Sequence, residues 1–397
     1  MTSQETLELR VIHSISDIPK DDWDALVGPD GSPFVEHDWL DCLEESGCVG
    51  SSRSKTSGET EVGAGPTRHA SGWLASHFAI YRQDKLIAAA PAYIKGNSEG
   101  EFVFDWSWAD LAQRMRVPYY PKLIMAVPFS PVTGERVLVA IGEDRDGLTN
   151  MVARAAIDVA GKLGAHGAHV LFPRDKEAAQ WEAAGYMRRL GVQYHWHNAG
   201  YATWEDFLAT FNSKRRHQIK RESSQAEKDG VFIETLSPER ITPEMTDAMY
   251  DFYLTTVDKF SWGRRYLNRP FFELIASRFK RNLAWVVASK DGAPIAGAFN
   301  VQKGKRLYGR YWGGRVEMPF LHFNVCYYHG VRHAIAHGLE AFEPGAGGEH
   351  KRPRGFIPTL THSAHWVEHP RLSSIIDPFL EKERVAIQQY VDSGGEE

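Results

Sequence analysis

One pattern occurs twice in this chain, and the duplication constrains the fold more than any other feature. Phe78-Ala-Ile-Tyr-Arg-Gln-Asp-Lys-Leu-Ile-Ala-Ala-Ala-Pro-Ala-Tyr-Ile-Lys95 can be laid beside Trp285-Val-Val-Ala-Ser-Lys-Asp-Gly-Ala-Pro-Ile-Ala-Gly-Ala-Phe-Asn-Val-Gln302. Each is a strand, a charged turn containing Asp, and a returning strand of small residues. A lone hairpin is not stable in water, so each copy needs further strands and helices of its own. The 397 residues are enough for two such units. We therefore read the chain as two halves, 1–200 and 201–397.

Local signals place the other elements. Alternation predicts a strand over 7–15, and helices over 21–27 and 34–46 follow it. The first hairpin returns through 86–94, and Glu101 to Trp106 reads as a third strand. The prolines between Tyr119 and Val132 make that stretch shaped loops at one end of a sheet. Gly47 to Gly72 is Gly, Ser and Thr with few large apolar residues, so it cannot repay its ordering entropy and reads as a flexible insertion. In the second half Thr242 and Asn268 cap helices, strands span 283–289, 294–302 and 305–311, and a helix covers 322–338.

Charge and cysteine content exclude several classes. With 46 Lys and Arg against 51 Asp and Glu the net charge is −5, so no global field recruits nucleic acid or membrane, and any polyanion site is local. Cys42, Cys48 and Cys326 are an odd number without metal spacing, which points to a reducing compartment. The first residues hold no apolar signal region, and no run approaches the roughly 18 apolar residues of a membrane helix. A soluble cytoplasmic protein without membrane insertion is expected.

One local polyanion site stands out. Thr203, with Asp206 at the third helical position, opens a helix expected over 204–229 and closed by Gly230. At 100° steps Phe207, Leu208, Phe211 and Ile219 share one arc, while Lys214, Arg216, His217, Lys220 and Arg221 occupy the other. Arg215 falls on the packed side, where it needs a buried acid or an anion.

The stretch from Leu339 to Phe356 looks least like scaffolding. Glu343-Pro344 is followed by four small residues, Gly345 to Gly348, and then by Glu349-His350-Lys351-Arg352 and Arg354. Glycines permit positive φ and close approach to a ligand, and the acid, imidazole and cations offer proton transfer and anion binding within one loop. A charged solvated turn is the plain alternative.

The hairpin followed by a strand and a helix resembles the middle of the GNAT acyltransferase fold, and two copies in one chain resemble the FemAB-like tandem-GNAT group. Glu101-Phe-Val-Phe-Asp105, Tyr120-Pro-Lys-Leu123, Val127-Pro-Phe-Ser-Pro-Val132, Ser213-Lys-Arg-Arg216, Arg221-Glu222, Phe342-Glu-Pro-Gly345, Gly348-Glu-His-Lys351 and Arg354-Gly-Phe356 are similar to the family described as peptidoglycan biosynthesis/recognition or predicted N-acyltransferase proteins. The resemblance implies an α/β (mixed α+β) protein of two GNAT-like domains in tandem, each a mostly antiparallel central sheet flanked by helices. It also implies transfer of an acyl or aminoacyl group to an amine acceptor, a small molecule or peptide such as a cell-wall precursor. The donor, charged tRNA or acyl-CoA, would be a co-substrate, with no tightly bound cofactor and no metal. Tyr311-Trp-Gly-Gly-Arg315 lacks the usual glycine pattern for acyl-CoA pyrophosphate, although Gly313-Gly314-Arg315 could still cradle a phosphate.

Acyl transfer to an amine needs a neutral amine, a positioned carbonyl and donors for the oxyanion. Glu343 or His350 would accept the amine proton, and Lys351 and Arg354 would bind an anion. Asp105, Tyr120 and Lys122 would bind the acceptor, and Lys214, Arg215, Arg216, Lys220 and Arg221 would meet tRNA or another anion. The second half is expected to do the chemistry and the first to present a substrate. Two other classes compete. A non-catalytic GNAT-fold module would bind without turnover, and the histidines at 322, 329, 333 and 337 could serve a metal-dependent hydrolase, though no His-Glu-x-x-His motif is present.

Overall fold

The computed structural model describes residues 6–52, 69–259 and 264–395. Most of the insertion read at Gly47 to Gly72 lies outside the described residues. Its described flanks are packed: Val49 is buried and the Gly50 N–H donates to Trp73 O at 2.9 Å. The chain divides into two compact units, Met1–Val192 with Leu360–Glu397, and Gln193–Thr359. This differs from a split at residue 200 in placing the last segment with the first unit. Ser363–Val367 pairs antiparallel with Gly167–Leu171, and the helix Pro370–Asp392 buries Leu372, Ile376 and Leu380 beside Trp108 and Ala112 of the helix Trp106–Met115. The C-terminus therefore completes a core built mostly from the first half.

Both units are mixed α+β. In the first, Leu7–Ile12, His77–Arg82, Lys85–Ala90 and Leu138–Val139 form an antiparallel sheet. Trp73–Ala75, Ala92–Lys95, Lys122–Met125, Gly167–Leu171 and Ile357–Val367 belong to another. The expected strand over 86–94 is divided between the two sheets at Pro91, which has no N–H for a ladder. Lys122–Met125 is a central strand instead of part of a loop, because the prolines at 121, 128 and 131 flank it without entering it. Its packing partners are helix Arg145–Lys162 and the aliphatic side chains of both sheets.

Glu101 to Trp106 is not a strand. Phe102 has φ of 60°, which ends extended backbone, and a helix begins at Trp106. The alternation is real but inverted. Glu101 and Asp105 are buried, while Phe104 and Trp106 are 59% and 54% exposed with their rings 5.1 Å apart.

In the second unit Val231–Thr235, Val286–Lys290, Ala293–Lys303 and Arg306–Gly314 form an antiparallel meander. Arg306–Gly314 then pairs in parallel with Ala341–Glu343 over only three positions, from Arg306↔Ala341 to Tyr308↔Glu343. Thr203, Thr242 and Asn268 cap helices as expected, Thr203 with a capping box to Asp206. The helix expected over 204–229 is broken. Trp204–Ala209 ends, Asn212 accepts from the Arg215 N–H at 2.9 Å to start Ser213–Ser223, and Gln225–Lys228 follows. The helix of 321–336 carries a π turn at Asn324–Tyr328, and Phe320 before it has φ of 59°. Among the described residues no helix is long and apolar enough to cross a membrane.

Helix Pro243–Val257 lies so close to the sheet that a Cβ at Gly313 would stand 1.7 Å from Phe252 O. A backbone oxygen cannot rotate away. Gly313→Ala is therefore expected to destabilise the protein by about 1–3 kcal/mol, read as a lowered urea midpoint; an unchanged midpoint would show that the helix gives way freely.

Candidate active site in the glycine loop

Ala341–Glu343 delivers Glu343 to the start of the loop, Gly345, Gly347 and Gly348 turn it with φ of 90°, 68° and 89°, and a 3-10 turn at Glu349–Arg354 closes it. Glu343 is buried and accepts from Arg306 Nη1 at 3.1 Å across the parallel pair of strands. Lys351 is buried as well. Its Nζ donates to Gly345 O at 2.7 Å and Ala346 O at 3.3 Å, so the ammonium holds the glycine turn in shape. Burial pushes this amine down to about 8. Arg354 donates to Glu222 Oε2 at 2.9 Å and to His350 O at 2.6 Å, and its guanidinium lies 3.4 Å from the Phe323 ring centre.

The Arg354 fork, read from sequence as an anion binder, is thus taken by a buried glutamate and by its own loop. Glu222 also accepts from Tyr328 Oη at 2.5 Å and Gln218 Nε2 at 2.8 Å. His350 is the accessible member of the set. It is exposed, and its Nε2 shares a hydrogen bond of 2.9 Å with Tyr327 Oη. Burial of part of the ring, with Lys351 and Arg354 beside it, lowers its pKa and keeps it neutral near pH 7. Arg306, Glu222, Tyr327 and Tyr328 were not singled out from the sequence, and only the Arg221-Glu222 pair carried any signal.

Gly313-Gly314-Arg315, which could have cradled a phosphate, is bonded within the protein. The Gly314 N–H donates to Thr255 Oγ1 at 3.1 Å, the Arg315 N–H to Ile295 O at 2.8 Å, and the Arg315 side chain to Asp251 at 3.0 Å. Gly313 is there to let the helix approach. The histidines at 329, 333 and 337 are engaged by Thr235, Gln302 and the His333 carbonyl. Among the described residues no group of three or more His, Cys, Asp or Glu side chains is placed to hold a metal ion.

On helix Ser213–Ser223 the break changes which cations face outward. Lys214, His217, Lys220 and Arg221 are exposed, with Ile219 and Glu222 buried on the other side. Arg215 and Arg216 are half-buried and donate to Gln218 Oε1 and Phe211 O, each at 2.9 Å. The stripe is narrower than the unbroken helix implied.

The first-unit candidates gather in a buried cluster. Lys122 Nζ donates to Ser98 Oγ at 3.0 Å, to Glu101 Oε2 at 2.9 Å and to Asp105, which also accepts from Tyr119 Oη at 2.5 Å. Tyr120, half-buried, bonds Ser98 at 2.6 Å. Burial alone would raise Asp105, but Lys122 outweighs it and holds this carboxyl well below its ordinary range. Glu101, fully buried beside Asp105, is pushed up to about 7 against the pull of Lys122. Asp105 and Lys122 thus neutralise each other inside the unit instead of facing an open acceptor site. Next to them His169 and His365 share an Nδ1···Nδ1 hydrogen bond of 2.9 Å. Lys95, Glu101, His169 and His365 were also missed. Glu101 meets Lys122 and His169 meets His365 across separate segments, while Lys95, whose Nζ donates to Asn97 Oδ1 and Glu99 O, both at 2.8 Å, is bonded locally; only the inward acids of the 101–106 segment left a trace in the sequence.

Comparison with known proteins gives one family and several distant structures. The family model FemAB-like, described as peptidoglycan biosynthesis/recognition, matches residues 14–397. A crystal structure of FemX is similar at 13% identity with a TM-score of 0.53, covering 91% of this chain and 98% of its own. A tandem GNAT protein from the clavulanic acid biosynthesis pathway aligns at 12% identity with a TM-score of 0.47, over 92% and 99%. The C-terminal domain of a putative lysylphosphatidylglycerol synthetase from Agrobacterium fabrum aligns at 15% identity with a TM-score of 0.46, over 73% and 85%. At these identities the likeness to FemX is one of fold. No curated protein matches in sequence.

Proposed function

The chain belongs to the FemAB-like family of peptidoglycan biosynthesis/recognition, and from that premise we propose that it is an N-acyltransferase acting on an amine of a cell-wall precursor. One observation carries the reading. A single loop presents an exposed, neutral imidazole at His350, hydrogen-bonded to Tyr327 and followed directly by the buried ammonium of Lys351. The neutral imidazole suits proton acceptance from an attacking amine, and the Lys351 ammonium, bonded to Gly345 O and Ala346 O, fixes the glycine turn beside it. In the step, the amine nitrogen bonds the acyl carbon and the carbon–oxygen or carbon–sulfur bond to the donor breaks with its electron pair. The amine proton passes to His350. Glu343, paired with Arg306, positions the loop. His350→Gln is expected to lower turnover about a hundredfold with an unchanged melting temperature, and full activity in that variant would remove His350 from the mechanism.

For the donor we favour charged tRNA over acyl-CoA. The exposed stripe of Lys214, His217, Lys220 and Arg221 suits a phosphate backbone, and the N–H groups of Gly314 and Arg315 are already bonded within the protein. Replacing Lys214, Lys220 and Arg221 by Ala should weaken tRNA binding and flatten the slope of log Kd against log salt by about 2–3. An unchanged slope with tight acyl-CoA binding would reverse the choice of donor.

A further inference from the structure

A cavity of about 490 Å³ opens in the second unit where strand Arg306–Gly314 ends and the helix of 321–336 begins. This volume falls within the range of about 300–1,000 Å³ usual for small-molecule sites. Trp312, Val316, Met318, Pro319 and Leu321 supply apolar wall. The hydroxyls of Thr255 and Thr256 are turned to backbone carbonyls, Phe252 O and Trp312 O, both at 2.7 Å. Lys259 and Glu317 pair with each other at 3.3 Å and are well exposed. That leaves His322 as the polar group of the interior.

The His322 ring lies 4.7 Å from that of Trp312, 5.2 Å from that of Tyr327 and 6.1 Å from that of His350. It therefore joins the cavity to the loop that carries His350. Neither ring nitrogen of His322 has a hydrogen-bond partner among the described residues, whereas His329, His333 and His337 on the same helix are each bonded. Two backbone departures shape this place: the positive φ of Phe320 and the π turn that follows Phe323. Such turns recur at functional sites.

We infer that this cavity receives an apolar chain on the transferred acyl group, with the His322 N–H donating to the acyl carbonyl oxygen. The inference rests on the acyl-transfer reading and adds the chemical class of the group moved: a medium alkyl or an aryl side. A small polar acyl group would leave the Trp312, Met318 and Leu321 wall wet. A neutral imidazole always keeps one N–H to donate. Burial, with His350, Arg354 and Lys351 nearby, pushes His322 down to about 4, so the ring is neutral at pH 7 in surroundings that favour a developing oxyanion.

The test uses probes that bear the carbonyl but no leaving group: acetamide, hexanamide and phenylacetamide titrated into the full chain by calorimetry. Affinity should rise at least about tenfold from acetamide to hexanamide, because the added methylenes leave water for an apolar wall. Val316→Trp, a change at the partly exposed rim that fills the cavity, should abolish that gain while the melting temperature holds. His322→Phe should keep the gain with chain length but weaken all three amides by a similar factor. Binding that ignores chain length, or that survives Val316→Trp unchanged, overturns the inference even in an active transferase. Conversely, cavity-dependent amide binding in a protein that transfers no acyl group from charged tRNA or acyl-CoA refutes the transfer reading alone.

Discussion

Lys122→Met is expected to cost about 3–5 kcal/mol at pH 7, a large share of the roughly 5–15 kcal/mol by which a folded protein is usually stable. Methionine has nearly the volume of lysine, so no cavity forms and the loss is electrostatic. The substitution removes the cation that touches Glu101, Asp105 and Ser98 together, in a place where all three are buried. Acid should partly rescue the variant. Without Lys122, burial meets only the weaker pull of Lys95 on Glu101 and of His169 and Ser98 on Asp105, so the folded pKa values of both carboxyls rise above the ordinary value and the folded state binds more protons than the unfolded one. Stability then rises as pH falls from 7 toward the carboxyl range. The wild-type protein behaves oppositely at Asp105, whose depressed pKa contributes stability above its ordinary value that is lost as pH falls through and below it. Urea midpoints of the two proteins should therefore converge on acidification. A second variant, Lys122→Met with Glu101→Gln and Asp105→Asn, should recover most of the loss. A single variant as stable as wild type at pH 7 would show that the cluster is not held by charge.

Arg354→Met is the other large change, about 3–5 kcal/mol by the same physics, with an added loss of turnover. Glu222 would keep Tyr328 and Gln218 as donors but lose its only ion-pair partner among the described residues, in a site from which water is excluded. The guanidinium also donates to His350 O, so its loss frees the residue proposed to accept the proton. A double-mutant cycle with Glu222→Gln separates the two effects. The stability loss should be largely repaid in the double variant, since the orphaned charge is gone, whereas turnover should stay low because the His350 carbonyl is still unheld. Additive stability losses would mean that Arg354 and Glu222 do not act as a pair.

What could be read from the chain follows from the range of the forces involved. The two hairpins, the caps at Thr203, Thr242 and Asn268, and the glycine loop of 339–356 are written in local terms: alternation, a side chain bonding a backbone three residues on, and glycines where φ is positive. The sequence alone determined those, together with the duplicated mixed architecture. It misjudged 204–229, where one asparagine cap at 212 outweighs a continuous amphipathic pattern, and 122–125, where prolines flank a central strand. Which charges are available for a ligand was decided only in three dimensions. The partner of Arg354 lies 132 residues away and that of Lys122 on Glu101 lies 21 away. A cation's role depends on whether such a distant carboxylate reaches it, because desolvation makes the pairing obligatory inside a fold and optional outside. The inverted segment of Glu101 to Trp106 follows the same rule: its alternation is visible in the chain, but the buried Lys122, with Tyr119 at Asp105, is what turns its acids inward and leaves Phe104 and Trp106 exposed.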